Sequence, residues 1–281
     1  MSLGIVFKGP EGIVLAADSR VTLHARILDP QDPKKIEEIA SYYDNATKLL
    51  YVNKQPFIGV VTYGVGAIGQ KEPRTAHSYI PEFQDEIPDG NNDKNNRLSV
   101  KAFSKKMSDF FLDKWNRNMP TDQKIGDMAF LVGGYDDEAP YGTIFEFHIP
   151  SKPEPFEQMQ DKGTFGLLWG GQREYADRLM QGFDGSLPQL VKQFAKLSDD
   201  QAKEMLINLR GTLTAKIPYQ FLPLQDCVDL SIFLIRTTIM MQKWIVGIRG
   251  VGGAIDVATI TRTEGFKIVQ QKTIFGEICK N

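Results

Sequence analysis

Apolar and β-branched residues occur along this chain in short runs, and polar, glycine-rich or proline-containing segments separate the runs. The first two runs, residues 4–7 and 13–17, flank a turn-forming segment at 9–12, which predicts two strands joined by a tight connection. Further strands are predicted at residues 47–52, 57–63, 128–134, 143–148, 166–169, 254–262 and 267–271. The chain is therefore expected to begin almost inside a strand.

Apolar positions spaced three to four residues apart predict helices in two blocks of the chain. The clearest pattern covers residues 100–117, where large side chains from Phe103 to Trp115 are expected to form a stripe that packs in the core. The other predicted helices are residues 75–86, 174–181, 187–197, 199–213 and 225–243. Residues 23–45 are long and polar, and they are predicted to form a loop or insertion with a helical turn at 34–39.

The order of the predicted elements is strands, two helices, strands, helices and strands, with a turn at residues 150–155. Helices in two blocks between hairpin-like strands favour an α+β fold, in which antiparallel sheets carry helices on their outer faces, over alternating βαβ units. No internal repeat, low-complexity segment or linker divides the chain. Its 281 residues fit one large domain or two small ones.

Composition and charge exclude several classes of protein. The 33 Lys and Arg residues against 35 Asp and Glu leave a formal net charge of −2, so the chain lacks the basic surface of a nucleic-acid-binding protein. No apolar run approaches the roughly 20 residues of a membrane span, and no basic and apolar leader is seen, so we expect a cytoplasmic protein without a membrane partner. Two cysteines and three isolated histidines argue against disulfides, metal and cofactor, and any nucleophile is expected elsewhere.

Ser2 is the first candidate for that nucleophile. A small second residue permits removal of Met1, which would leave Ser2 with both a hydroxyl group and a free α-amine. An α-amine has a pKa of about 7.7–8.0 and acts as a general base near neutral pH. One residue then holds a nucleophile together with its base, and no histidine is required.

The surroundings of Ser2 resemble a known family. Asp18 ends the second predicted strand 16 positions after Ser2, and the segment 16–20 (Ala-Ala-Asp-Ser-Arg) resembles the corresponding corner of proteasome β-type subunits, including bacterial proteasome-like peptidases. Those proteins belong to the N-terminal nucleophile (Ntn) hydrolase superfamily. The resemblance implies that Ser2 stands at the position of their catalytic N-terminal threonine, with Asp18 at the position of their strand-end aspartate.

Two later motifs extend the resemblance to most of the chain. Lys48, within a predicted strand, matches the family's lysine, which implies that its charge lowers the pKa of the nucleophile. The glycine-rich residues 62–66 match the segment that binds the oxyanion, which implies the backbone N–H of Tyr63 or Gly64 as the donor. Further candidates to line the site are Ser19, Arg20, Arg249 and Gly252.

The resemblance also implies a fold and an activity. The fold would be a four-layer αββα sandwich with two antiparallel sheets between helical layers, as a single domain over residues 1–281 with insertions near 23–45 and 187–220. The activity would be hydrolysis of peptide or amide bonds, of the threonine type but with Ser2 as nucleophile and with Lys48 positioned by Asp18. The implied partners are a peptide or amide substrate, further copies of the chain in a homo-oligomeric ring or stack, and an ATPase unfoldase.

The chain also departs from the family pattern. Its nucleophile is serine and not threonine, and no propeptide precedes it in the sequence. The aspartate and serine that support the α-amine in the family fall near Ile248 and Val251 here, so both of these side chains are absent. Three alternatives stay open: a non-peptidase amidohydrolase of the same superfamily, a catalytically silent structural subunit, or, outside the family, a binding module whose glycine-rich segments are only turns.

Overall fold

The computed structural model describes residues 2–28, 36–69, 72–120, 125–161, 163–274 and 276, and it leaves the side chains of residues 24–40 undescribed. The described residues form fourteen strands and six α-helices. The strands are β1 Leu3–Lys8, β2 Ile13–Asp18, β3 Val21–Leu28, β4 Ile36–Tyr43, β5 Leu49–Tyr51, β6 Ile58–Gly64, β7 Ala67–Ile68, β8 Arg74–Thr75, β9 Met128–Gly134, β10 Thr143–Ile149, β11 Lys152–Gln158, β12 Gly166–Gly171, β13 Ile255–Thr261 and β14 Gly265–Gln270. The helices are α1 Ile80–Asp85, α2 Val100–Asn118, α3 Glu174–Gln181, α4 Leu187–Ala195, α5 Asp199–Leu213 and α6 Leu224–Trp244.

Two five-stranded antiparallel sheets contain most of the strands. Sheet 1 has the order β12-β1-β2-β13-β14, and sheet 2 has the order β11-β10-β9-β6-β5. The remaining four strands form two small antiparallel hairpins, β3–β4 and β7–β8. The mixed α+β class with antiparallel sheets is thus confirmed.

Both faces of β1 and β2 are buried, which explains the uninterrupted apolar runs at the start of the chain. Every residue of β1 and β2 is buried. Because side chains alternate along a strand, Leu3 and Phe7 pack in a core shared with α6, whereas Val6 packs in a second core with residues of sheet 2, such as Val61. The central strands of sheet 1 therefore share one core with α6 and another with strands of sheet 2.

The other face of sheet 2 packs against α1 and α2. Phe103 and Phe111 of α2 are fully buried in this third core, and the ring centroids of Phe111 and Phe130 are 4.7 Å apart. The stripe predicted from Phe103 to Trp115 is therefore confirmed as core packing. Among the described helices, none is long and apolar enough to span a bilayer.

Three sequence predictions are wrong at the level of local structure. Residues 23–45 contain most of a hairpin, β3–β4, and are not a loop; residues 36–39 of the predicted helical turn lie in β4, while 34–35 lie outside the described residues. The turn predicted at 150–155 is too long: residues 150–151 form the turn between β10 and β11, but residues 152–155, with Pro153 and Pro155, lie in β11. Because β11 is the edge strand of sheet 2, its prolines are accommodated without breaking the sheet. The helix predicted at 75–86 is α-helical only over Ile80–Asp85.

Candidate functional site

Ser2 directly precedes β1, and it forms a hydrogen bond with the residue that follows β12. Its side chain is buried, and its carbonyl oxygen accepts a hydrogen bond of 2.7 Å from the backbone N–H of Gln172. Gly171 makes this approach feasible, because its φ is +97° and a Cβ there would lie 1.9 Å from the Ser2 oxygen. The start of the chain is thus fixed by a backbone contact that requires glycine on the neighbouring strand.

The Asp18 carboxylate, at the end of β2, joins four donors from separate parts of the chain. Its Oδ1 accepts from the Leu3 backbone N–H at 3.0 Å and from Lys48 Nζ at 2.7 Å. Its Oδ2 accepts from the backbone N–H groups of Arg20 and Gly252 at 3.1 and 3.0 Å. Asp18 therefore connects the residue after Ser2, the lysine before β5 and the loop before β13.

Lys48 is a buried cation that points at this carboxylate. Its Nζ also donates to the Arg20 carbonyl oxygen at 2.6 Å, and its side chain is 7% exposed. Burial lowers the pKa of Lys48, and the charge and hydrogen bond of Asp18 oppose that shift without reversing it. The ammonium is therefore held in place by two acceptors, and its proton is less tightly bound than that of a surface lysine.

Ser2, Lys48, Tyr63 and Gly64 all line one small pocket with a volume of about 30 Å³. The remaining lining residues are Arg20, Val21, Ala46, Thr47, Thr62, Val65, Gly66, Thr75 and Ala76. The sequence predicted the first four together, and the fold brings them together. Of the further candidates, Arg20 lines this pocket, whereas Ser19, Arg249 and Gly252 are outside its lining.

The end of β6 presents alternate N–H groups to opposite sides. The Thr62 N–H donates to the Lys48 carbonyl at 3.0 Å, while the Val65 N–H donates to the Asp127 carbonyl, on the side of β9. By the two-residue period of a strand, the Gly64 N–H faces the Lys48 side and the Tyr63 N–H faces β9. Gly64 has φ +87°, and a Cβ there would lie 2.2 Å from the Asp127 oxygen. Of the two predicted oxyanion donors, only the Gly64 N–H faces the lysine.

The Tyr63 side chain leads away from the pocket into a polar cluster that the sequence analysis missed. Its hydroxyl donates to Glu146 Oε1 at 2.8 Å, and the same carboxylate contacts His148 Nε2 and Gln158 Nε2, each at 2.7 Å. Burial alone would raise the pKa of Glu146, but the hydrogen bonds from His148, Tyr63 and Gln158 outweigh it and hold that pKa below its usual value. The sequence signal that could have predicted this cluster is the pair of polar residues at positions 146 and 148, which are two apart on β10.

Burial raises the pKa of the Tyr63 hydroxyl, and the neighbouring Glu146 carboxylate raises it further, so this phenol stays protonated. Gly170 allows the ring to pass beneath β12, because a Cβ at that position would lie 2.1 Å from the Tyr63 ring. Glycine at 170 is thus explained by close packing and needs no turn.

The other predicted site residues have structural partners. Arg20 makes a two-point ion pair with Asp44, at 2.6 and 2.7 Å, and donates to the Arg249 carbonyl oxygen at 3.2 Å. The Asp44 hydrogen bond raises the pKa of Arg20, so the guanidinium stays charged. The buried Ser19 hydroxyl donates to the Ala254 carbonyl at 2.7 Å. These contacts fasten the loop before β13 beside the pocket.

No group of three or more His, Cys, Asp or Glu side chains within the described parts of the chain has a metal-binding arrangement. No protein-family model matches this chain, and no curated protein matches it at a significant level. The assignment of a function therefore depends on the geometry of the site and on the resemblance of its motifs.

Proposed function

We propose that this chain is a proteasome-like N-terminal nucleophile hydrolase that cleaves peptide or other amide bonds. The observation that carries the proposal is the buried Lys48–Asp18 ion pair of 2.7 Å, with Lys48 and Ser2 lining the same pocket. A buried lysine and aspartate placed beside the first residues of a chain have an evident use if the chain terminus reacts. A binding module would have no such need for a desolvated ion pair, whose burial is costly.

The packing supports the matching fold. Three cores lie in succession. The first is shared by α6 and sheet 1, the second lies between the two sheets, and the third is shared by α2 and sheet 2. This succession agrees with a four-layer αββα sandwich over one domain, as the proposed family requires. In that arrangement the start of β1 and the end of β6 lie on facing sheets, which is where the nucleophile and the oxyanion donor would meet.

The proposed chemistry begins once Met1 has been removed. The Ser2 α-amine takes the proton of the Ser2 hydroxyl as Oγ forms a bond to the substrate carbonyl carbon. The Lys48 charge favours this step by stabilising the developing alkoxide. The carbonyl oxygen becomes an oxyanion, which accepts a hydrogen bond from the Gly64 N–H.

Collapse of this intermediate breaks the carbon–nitrogen bond, and the protonated α-amine gives its proton to the departing amine. A water molecule then attacks the Ser2 ester, and the α-amine again accepts a proton. Release of the carboxylic acid restores the Ser2 hydroxyl, and no cofactor enters the reaction. Each step depends on a free amine at residue 2, because an amide nitrogen in a Met1–Ser2 bond is not a base.

The test compares Ser2→Ala and Ser2→Thr with wild-type protein on a panel of fluorogenic peptides. Intact mass must first show that Met1 is absent from all three, since retention of Met1 in wild type would overturn the mechanism. We expect Ser2→Ala to lose all turnover and Ser2→Thr to retain it, with Ser41→Ala, at an exposed serine of β4, as the control. Wild type that lacks Met1 but shows no turnover and no acylation would instead favour a silent structural subunit.

Assembly into a homo-oligomeric ring or stack and delivery of substrate by an ATPase unfoldase are parts of the same proposal and rest on the resemblance. Exposed apolar side chains near the end of α6, among them Trp244 at 70% and Val246 at 105% exposure, are compatible with subunit contacts. Sedimentation velocity tests assembly directly. A monomer at all concentrations would remove this part and leave the proposed chemistry in place.

A further inference from the structure

The side-chain amides of Gln242 and Gln172 link α6, the end of β12 and the loop before β13. Gln242, in the last turn of α6, is 5% exposed. Its Nε2 donates to Gln172 Oε1 at 2.6 Å, and its Oε1 accepts from the Val251 backbone N–H at 3.0 Å. One side chain thus uses its donor and its acceptor at once.

The two residues that Gln242 contacts are each connected to one of the proposed catalytic residues, Ser2 and Asp18. The backbone N–H of Gln172 donates to the Ser2 carbonyl oxygen at 2.7 Å. Val251 is followed by Gly252, whose backbone N–H donates to Asp18 Oδ2 at 3.0 Å. Gln242 therefore fixes the segment that holds Ser2 relative to the segment that holds Asp18.

The same loop lacks the polar side chains that the proposed chemistry would otherwise use. Residues 248–253 read Ile-Arg-Gly-Val-Gly-Gly, so the only side chain there with a polar group is that of Arg249. Support for the loop comes instead from outside it: Gln242 binds the Val251 N–H, Asp18 binds the Gly252 N–H, and Arg20 binds the Arg249 carbonyl oxygen. Asp18 ends β2 and Arg20 follows that strand, whereas Gln242 supplies a hydrogen bond to the loop from α6.

We propose that Gln242 is a positioning residue for Ser2, acting through Gln172 and Val251 in place of polar side chains in the loop. This inference rests on the proposed function, because positioning has meaning only if Ser2 reacts. Without the Gln242 amide, the Val251 N–H and the Gln172 Oε1 each lose this hydrogen bond, so α6 no longer links the loop before β13 to the segment that holds Ser2. The reactive arrangement of hydroxyl and amine is then populated less often, while the substrate pocket keeps its lining.

The experiment uses full-length protein whose free Ser2 amine has been verified by intact mass. Gln242→Met is the principal variant, because methionine has nearly the same length and volume as glutamine and lacks its polar groups. Gln225→Met is the matched control: Gln225 is on the same helix, is exposed and bonds only the Asp229 side chain in the described contacts. Gln172→Met and the double variant Gln172→Met/Gln242→Met test whether the two amides act as a unit.

Single-turnover acylation by a peptide electrophile is measured across pH, together with kcat, KM and the melting temperature. We expect Gln242→Met to lower the acylation rate by about 10-fold or more, with KM changed by less than about 3-fold. The pH midpoint of acylation should shift by on the order of half a unit, because the amine's surroundings change. The double variant should lose little more than either single variant, and Gln225→Met should match wild type.

Outcomes separate this inference from the proposed function. If wild type acylates and a folded Gln242→Met acylates equally fast with the same midpoint, the positioning role is wrong and the proposed function stands. If wild type with a free Ser2 amine does not acylate, both fail together. If Gln242→Met does not fold, Gln172→Met decides, since Gln172 is only half-buried; a wild-type rate in that variant overturns the inference.

Discussion

Lys48 Nζ lies 2.7 Å from Asp18 Oδ1, and the two side chains are 7% and 0% exposed. The two residues are 30 positions apart and come from different sheets, since Asp18 ends β2 of sheet 1 and Lys48 directly precedes β5 of sheet 2. The ion pair therefore joins the two sheets at the end where Ser2 begins β1. This single contact connects the fold to the proposed chemistry.

Lys48→Met tests both roles of that contact. Loss of one partner leaves the Asp18 carboxylate buried without its cation, and we expect a loss of about 3–5 kcal/mol in the free energy of unfolding. Turnover should fall by more than about 100-fold, because the charge beside the nucleophile is gone. Urea unfolding and acylation rates provide the measurements.

The control for Lys48→Met is Lys105→Met, which removes two surface ion pairs, with Asp109 at 2.9 Å and with Glu154 at 3.0 Å. An exposed pair of this kind contributes about 0.3–0.5 kcal/mol, so this variant should be close to wild type in both assays. Equal stability of the two variants would contradict the importance assigned to the buried pair.

Gly171→Ala tests the backbone contact at Ser2. The new Cβ would lie 1.9 Å from the Ser2 oxygen at a residue with φ +97°, so the start of β1 must move. We expect a loss of more than about 1 kcal/mol in unfolding free energy and a fall in acylation rate. Gly211→Ala, within α5 and with open space around its Cβ, should instead gain about 0.5–1 kcal/mol.

Tyr63→Phe separates the ring of Tyr63 from its backbone position. The variant removes the hydrogen bond to Glu146 and keeps the ring beneath Gly170, so we expect a loss of about 1–3 kcal/mol in stability. Acylation should change by less than about 3-fold, because Glu146, which accepts the hydrogen bond of the Tyr63 hydroxyl, is outside the pocket lining. Tyr51→Phe, at a tyrosine that is 40% exposed, is the control; a large loss of acylation in Tyr63→Phe alone would assign the hydroxyl a direct role.

Glu146 predicts a pH dependence of stability. Its pKa is held below the usual value by hydrogen bonds from His148, Tyr63 and Gln158 that outweigh burial, so the folded state binds its proton more weakly than the unfolded state does. The resulting stabilisation is fully present above the unfolded pKa of about 4.3 and is lost as pH falls through the folded value. The stability difference between wild type and Glu146→Gln, measured by urea unfolding, should therefore shrink from pH 6 to about pH 3. A constant difference would contradict this cause.

The local pattern of apolar and polar residues was sufficient to predict the strands and helices that have one or both faces buried. The runs in β1 and β2 are apolar because both faces of these two strands are buried, and the spacing on α2 follows from its packing against a single core. The hairpin β3–β4 was missed because its strands pair with each other over a polar stretch. The edge strand β11 was missed because proline usually marks a turn.

The residues of the candidate site likewise fall into those that were predicted from the sequence and those that were not. Ser2 was proposed from the chemistry of a small second residue, and the roles of Asp18, Lys48 and Gly64 were implied by the resemblance to proteasome β-type subunits. Gln242 was not predicted, because nothing in the local sequence distinguishes it from Gln225, the other glutamine of α6. Its role depends on partners that are 70 and 9 positions away in the sequence, and only the folded chain brings them into contact with it.

The central claim is that Ser2 of the chain without Met1 is the nucleophile. The most direct measurement is mass spectrometry, intact and after digestion, of the protein treated with an electrophilic peptide analogue that acylates hydroxyl nucleophiles. We predict one adduct per chain, located on Ser2, that Ser2→Ala abolishes and that excess peptide substrate slows. A chain with a free Ser2 amine that carries no adduct, or carries it on another residue, would contradict the account.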